Sequence, residues 1–399
     1  MAVVSGLDVL CAERLDLCRG RRVGVLCHPA SVDARLVHVV DCLLAAGVRP
    51  VRLFGPEHGV RGEAQDMVGV EGGCDGSSGI PVSSLYGQSL ESLQPSQGAL
   101  ADIDVLIVDL QDIGSRYYTF IWTMALSLQA AARAGVGVVV LDRPNPIGGS
   151  AIEGGEVDPA CESFVGLASL PVRHGLTIGE VARLVRAGIP WGGPRFASPL
   201  DLDLTVVPMR GWHRRDFFEA TGLPWVMPSP NMPSVDTAFV YPGLCLIEGT
   251  NLSEGRGTTR PFEIVGAPFV DGTRLAERLA VHRLPGVRFR PLWFRPTFHK
   301  FAGQVCAGIQ VHLTDRAVFE PYRCGVAILH ELHATCGESF RWRREPYEFV
   351  SDRLAIDLLT GSDVIRTGIE RGLSLAELAA NWLPAQRRFA ERREPHLLY

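Results

Sequence analysis

Along the first third of the chain, short apolar runs alternate with longer amphipathic ones, and each apolar run stops abruptly at a polar cluster. Arg22 to Cys27, Val51 to Phe54, Ile103 to Leu110 and Gly137 to Leu141 are rich in Val, Leu and Ile, as expected of strands buried on both faces. Between them, Arg35 to Ala46 and Tyr118 to Ala134 carry apolar residues at helical spacing. These two runs stop at Gly47 and Gly135, residues suited to a left-handed C-cap. Strands alternating with helices predict a Rossmann-like, doubly wound parallel sheet. Residues 59 to 80 are Gly-rich and polar, which suits a long functional loop better than a regular element.

After Asn145 the pattern changes. Pro-, Gly- and acid-rich sequence runs to about Pro171, where a crossover between domains is expected. Thr177-Ile178-Gly179-Glu180 is a capping box that opens a helix through Ala187. Residues 205 to 300 mix short strands with Pro-rich loops, Tyr241 to Ile247 reads as a strand, and Tyr347 to Trp382 reads as mostly helical. At 399 residues the chain exceeds a typical single core. The expected architecture is α/β: a Rossmann-like domain over 1–150, and a C-terminal auxiliary α/β domain over 151–399 that completes a cleft.

The polar clusters carry the candidate chemistry, because ligands of an open parallel sheet bind beyond the carboxyl ends of its strands. Glu57-His58 follows one strand and lies between Gly55-Pro56 and Gly59, a setting that leaves the carboxyl partly buried and suited to donate a proton. Gln111, Asp112, Arg116, Tyr117 and Tyr118 follow another, and suit a sugar: amides and carboxylates for hydroxyls, rings for stacking. Pro228-Ser229-Pro230-Asn231-Met232-Pro233 is a rigid loop that displays Asn231. The segment from Glu248 to Thr259 sets Glu248, Asn251, Glu254 and Arg256 among glycines, too polar for core.

Composition narrows the function. A net charge of -5 makes no electrostatic case for nucleic acid or an anionic membrane, and no apolar stretch is long enough to span a bilayer. The ten cysteines are scattered with no Cys-x-x-Cys pair, and the histidines lack metal spacing, so no metal site is expected. Residues 1 to 10 show no leader pattern, which together with reduced thiols suggests a cytoplasmic home. The first strand runs into His28-Pro29-Ala30-Ser31 rather than Gly-x-Gly-x-x-Gly, which weighs against a nucleotide-dependent oxidoreductase. There is no Gly-x-Ser-x-Gly elbow either. A sugar-binding site remains, with or without catalysis, and Glu57 is the residue on which that turns.

Five strings in order give a more specific answer: Leu53 to Gly62, Gln111 to Thr119, Leu141 to Pro146, Pro228 to Pro233 and Glu248 to Thr259. With them the chain resembles the bacterial exo-β-N-acetylmuramidase family of the NamZ type over nearly its whole length. The resemblance implies a Rossmann-like domain and an auxiliary domain with the cleft between them. It also implies release of terminal N-acetylmuramic acid from muropeptide or disaccharide substrates without a cofactor. The family's catalytic glutamate falls on Glu57, as general acid. Asp112, Glu248 and Glu254 stand as candidates for a second group, and Asp112 for polarising the sugar's own acetamido group. The lactyl carboxylate that distinguishes this sugar calls for a guanidinium, with Arg116 and Arg256 as the choices. His58, Gln111, Tyr117, Asn231 and Asn251 complete the expected contact set.

Overall fold

The computed structural model describes residues 2–60, 73–87 and 89–399. Its main sheet is built from β1 (Val23–Cys27), β2 (Arg52–Gly55), β3 (Gly73–Cys74), β4 (Pro81–Ser84), β5 (Val105–Asp109), β6 (Gly137–Leu141) and β7 (Leu204–Val207). The order is β3-β4-β2-β1-β5-β6-β7, parallel throughout except at β3, which runs antiparallel to β4. Every residue of β1 and β5 is buried, as a strand covered on both faces requires. From β1 the chain winds outward through β2 to one edge, and from β5 through β6 to the other, so the topological switch point lies between β1 and β5.

Helices cover both faces. On one side α1 (Gly6–Glu13) and α2 (Val39–Ala45) bury Leu7, Leu10, Val40 and Leu43 against the strands. The short α3 (Gln97–Leu100) precedes β5. On the other side α4 (Phe120–Ala134) and α5 (Ile178–Ala187) join the large core. Each ends as its sequence directs: α4 at Gly135 in the left-handed region, φ 67°, and α5 opens on the Thr177–Glu180 capping box. Helix α2 starts later than its apolar periodicity suggests, at Val39, with His38 as its N-cap. The stretch after Asn145 leads into α5 and then β7, so the sheet continues past residue 150: β7 pairs with the otherwise open edge of β6.

Helix α6 (Val235–Leu244) and the 3-10 turn Cys245–Gly249 occupy the run that reads as a strand from Tyr241 to Ile247. The β-like composition is overridden by burial on all sides, because Thr237 to Gly249 is buried throughout. A second sheet, β8 (Ile264–Ala267), β9 (Val287–Phe294) and β10 (Cys306–Leu313), is antiparallel in the order β8-β10-β9. Helix α7 (Gly272–Val281) covers it, and α8 (Pro321–Cys336) packs on α7 and α6. Helix α8 crosses α6 at paired glycines. A Cβ on Gly243 would lie 1.9 Å from the Pro321 carbonyl oxygen, and one on Gly325 would lie 2.2 Å from that of Gly243. No side chain fits there, so the two helices meet at backbone contact.

Four further helices follow: α9 (Ala355–Thr360), α10 (Val364–Glu370), α11 (Leu375–Ala380) and α12 (Leu383–Arg393). The chain end then returns to the first sheet. The Tyr399 hydroxyl donates to Asp142 Oδ2 at 2.7 Å and accepts the Met209 backbone N–H at 2.8 Å, while Leu398 N–H reaches Glu180 Oε1 at 2.8 Å. Asp142 is fully buried, and burial raises its pKa to about 6 despite the donors Tyr399, Thr177 and the Gly179 N–H. Its share of stability is complete at acid pH and is lost as pH rises through about 6. Tyr399→Phe removes one donor from a buried carboxylate and strands the Met209 amide, so it is expected to cost about 1–3 kcal/mol in denaturant unfolding. An unchanged midpoint would show that the chain end does not anchor the first sheet.

Candidate active site

Beyond the C-terminal ends of β1, β2 and β5, at the switch point, a crevice enclosing about 520 Å³ including its open mouth draws residues from both halves of the chain. Glu57 reaches it from the turn after β2. The turn is tight: the Gly59 N–H bonds the Pro56 carbonyl at 3.0 Å, and His58 and Gly59 take left-handed φ values of 74° and 81°. A non-glycine residue held there stores strain, a recurrent feature of functional turns. Thr119, the N-cap position of α4, donates its hydroxyl to Glu57 Oε2 at 3.2 Å. His58 and Tyr117 line the same crevice, as do Asn231, Glu248 and Arg256 from the later sequence. Arg61-Gly62 and the rest of the Gly-rich loop through residue 72 lie outside the described residues.

Aromatic rings form the inner wall. Tyr241 packs edge-on against Tyr117 and Tyr118 at 5.7 Å each and against Phe262 at 4.7 Å, and the Arg256 guanidinium lies 5.0 Å over the Phe262 ring. The Tyr117 hydroxyl is spent on the Pro242 carbonyl inside α6, which leaves its ring, not its oxygen, to the site. Glu248 accepts two bonds from Arg256, at 2.8 and 3.2 Å, and one from the Tyr347 hydroxyl at 2.6 Å.

The other expected residues lie elsewhere. Glu254 is fully buried behind Arg256, 3.4 Å from its Nε, 3.0 Å from Lys300 Nζ and 3.2 Å from His299 Nδ1. Burial pushes its carboxyl up, but Lys300, His299 and Arg256 together outweigh burial and hold it well below the usual carboxylate range. Asp112 accepts the Gly114 N–H at 2.7 Å and lies 3.5 Å from His174; its buried Oδ1 has no hydrogen-bond partner among the described residues. The Gln111 amide donates to the Asp112 and Pro144 carbonyls at 2.7 and 2.9 Å. Arg116 is wholly buried and gives its guanidinium to the carbonyls of Val165, Leu170, Gly155 and Leu359, an internal clasp rather than a grip on a ligand. Asn251 braces a turn, bonding the Arg341 N–H and the Ser339 carbonyl, both at 2.9 Å.

Tyr347 and Glu348 line the crevice without any motif to mark them. The one local sign is conformational: Glu348 and Phe349 take left-handed φ values of 46° and 67°, a strained pair at the rim. His28, where a dinucleotide fold would carry glycine, holds the site's loops together. Its Nε2 accepts the Gln111 backbone N–H at 2.8 Å, so the proton sits on Nδ1, which faces the Pro228 carbonyl at 3.2 Å. The loop after β5 and the loop bearing Asn231 are thereby joined through one imidazole.

Residues 23–236 match the family model described as exo-β-N-acetylmuramidase NamZ, N-terminal, and residues 239–399 match its C-terminal companion. The chain belongs to the NamZ family. A Bacillus subtilis (strain 168) relative, peptidoglycan β-N-acetylmuramidase NamZ, is 43% identical over 398 residues, covering 100% of this chain and 91% of its own. Two solved DUF1343 family proteins from Bacteroides fragilis superpose over 100% of this chain and 99% of theirs, with TM-scores of 0.88 and 0.76 at 33% and 28% identity. Both sheets of this NamZ-family chain thus have experimentally determined counterparts, and the α/β architecture read from its apolar runs holds. Among the described residues no helix is long and apolar enough to cross a membrane.

Burial and the nearby Arg143 lower the His28 pKa to about 3, so the ring is neutral in the folded chain. An unfolded histidine titrates near its ordinary value of 6.5, so stability from His28 is complete above that pH and is lost as pH falls toward 3. Between pH 7.5 and 5 the wild type is expected to lose about 2 kcal/mol more than His28→Asn, measured by denaturant midpoints. Parallel losses in the two proteins would remove His28 from that role.

Proposed function

We propose that this chain is an exo-β-N-acetylmuramidase whose general acid is Glu57. It releases terminal N-acetylmuramic acid from peptidoglycan fragments, and muropeptides or the disaccharide are the substrates we assign. The observation that carries the catalytic assignment is the crevice itself: Glu57 from the turn after β2 shares it with Glu248, Arg256 and Asn231 from beyond α5. The Glu57 carboxyl gives its proton to the glycosidic oxygen as the bond from the anomeric carbon breaks. The ring then carries positive charge, and Glu248, the other expected carboxylate that lines the crevice, stabilises it. Water adds to that carbon and returns a proton to Glu57. Glu254 and Asp112 act at one remove, the first by positioning Arg256 and the second by shaping the loop after β5.

Sugar recognition divides among the other residues. The rings of Tyr117 and Tyr241 offer apolar faces, and the Asn231 amide and His58 suit hydroxyls and the acetamido group. Arg256 is the arginine lining the crevice among the described residues. Arg256 also holds Glu248 at 2.8 Å and Glu254 at 3.4 Å, and its five-donor fork is the group we assign to a lactyl carboxylate. A cytoplasmic workplace is supported by the cysteines, which form no disulfide among the described residues.

A chromogenic N-acetylmuramide tests the acid. Glu57→Gln keeps the side chain's shape but has no proton to give, so turnover should fall about 10²–10⁴-fold with substrate affinity largely kept. Near-normal turnover would sink the assignment. Arg256→Met tests the sugar's identity, and should reduce activity on the muramide far more than on the matching glucosaminide. Equal loss on both would make the arginine purely structural.

A further inference from the structure

Near the crevice lies a larger groove, about 2160 Å³ including its open mouth against about 520 Å³ for the crevice. The two share a wall. Arg341 to Glu345 line the groove, and two residues further on Tyr347 and Glu348 line the crevice. Lys300 lines the groove while holding Glu254 at 3.0 Å, and Glu254 in turn touches Arg256 of the crevice at 3.4 Å. Thr250 and Asn251, just after Glu248, lie in the groove as well. The segments Glu248 to Arg256 and Arg341 to Glu348 thus each contribute to both concavities.

The groove has a definite chemistry. Lys300, Arg341, Arg343, Arg344 and Arg366 line it against only Glu345 and Glu370, on a chain whose net charge is -5. Some of these cations are already engaged. Arg366 pairs with Asp357 at 2.9 Å and Glu370 at 3.3 Å, and Arg343 donates to the Pro346 carbonyl at 3.2 Å. Arg341 and Arg344 are exposed, and among the described residues neither guanidinium has a partner. Trp342 lies between them in sequence, held by a bond from its Nε1–H to Glu370 at 2.9 Å and stacked on His333 with ring centres 6.3 Å apart. Two unpaired guanidiniums flanking a fixed indole suit a glycan that bears carboxylates: the forks take carboxylate pairs and the ring takes a sugar face.

We infer that this groove binds the leaving-group side of the substrate, a peptidoglycan glycan that continues beyond the scissile bond and carries carboxylates on its lactyl ethers. Arg341 and Arg344 grip those carboxylates, and Trp342 supports a ring. The inference rests on the muramidase reading for the direction of the ligand. It adds that the site is built for more than one sugar, and that affinity for longer fragments is electrostatic.

The test uses the full chain and the double variant Arg341→Gln/Arg344→Gln. On a chromogenic N-acetylmuramide, which has no sugar to place in the groove, the variant should match the wild type. On a peptidoglycan oligosaccharide with free lactyl carboxylates its KM should rise roughly tenfold with kcat kept, as expected for lost charge-assisted bonds. Raising salt should weaken the wild type's grip on the oligosaccharide and leave the variant nearly unmoved. Methyl esters of the oligosaccharide should behave with the wild type as the free acid does with the variant. Calorimetric binding of the free acid to Glu57→Gln, with and without the two arginines, reads the groove independently of hydrolysis. A chain that hydrolyses no muramide but whose binding still weakens tenfold would overturn the catalytic reading and leave the groove standing. Equal KM for the two proteins on the oligosaccharide, or equal loss on the small muramide, would overturn the groove. So would an oligonucleotide that competes as well as the glycan.

Discussion

A short chain of buried charges joins the two concavities, and the site depends on it. Glu248, Arg256, Glu254 and Lys300 are linked in sequence at 2.8, 3.4 and 3.0 Å, two acids balanced by two bases. Ions taken out of water are tolerated only when paired and hydrogen-bonded, and removing one partner typically costs 3–5 kcal/mol by stranding the other. The row is therefore a fixed strut. Its first member and Arg256 line the crevice, its last lines the groove, and Arg256 is held between two carboxylates rather than free to swing. The chain's single lysine is the end of that strut.

The other buried arginines do a different job. Arg116 and Arg393 bind backbone carbonyls: Arg393 reaches those of His174 and Gly175 at 3.0 and 2.8 Å and that of Ser150 at 3.2 Å. Burial lowers the Arg116 pKa and brings that of Arg393 down to about 10. A planar fork with five donors can satisfy several carbonyls at once where loops cross without ladder partners, which lysine cannot do. In this fold such clasps tie the loops after β5 and β6 to the distant C-terminal helices. Asp109 and Arg143 do the same between adjacent strand ends with a buried bidentate pair. Much of the polar sequence at the strand ends is thus structural, and supports the few residues that face the ligand.

The direction of the site comes from the sheet. His28 follows β1, Glu57 follows β2 and the Thr119 region follows β5, so the switch point between β1 and β5 places them beyond the same edge. The second half of the chain brings Tyr241, Glu248 and Arg256 to the same crevice as Glu57. Neither half alone lines the crevice.

The sequence by itself determined the parts whose physics is local. Unbroken Val, Leu and Ile runs specify strands buried on both faces, the Thr177–Glu180 box and Gly135 specify helix ends, and five polar strings mark the family. Six expected residues do meet in the crevice: Glu57, His58, Tyr117, Asn231, Glu248 and Arg256. Tertiary structure decided the choices among chemically equal candidates. Arg116 and Arg256 look alike in sequence, yet one is swallowed by carbonyls and the other lines the site. Glu248 and Glu254 stand six positions apart; the first, bonded to Tyr347, lines the crevice, and the second, bonded to Lys300, does not. Tyr241 to Ile247 has β-like composition and is helical because it is enclosed on every side and pressed against α8. Backbone preference is written over a few neighbouring residues, whereas a side chain's partner and its exposure to water are set by contacts between segments hundreds of positions apart.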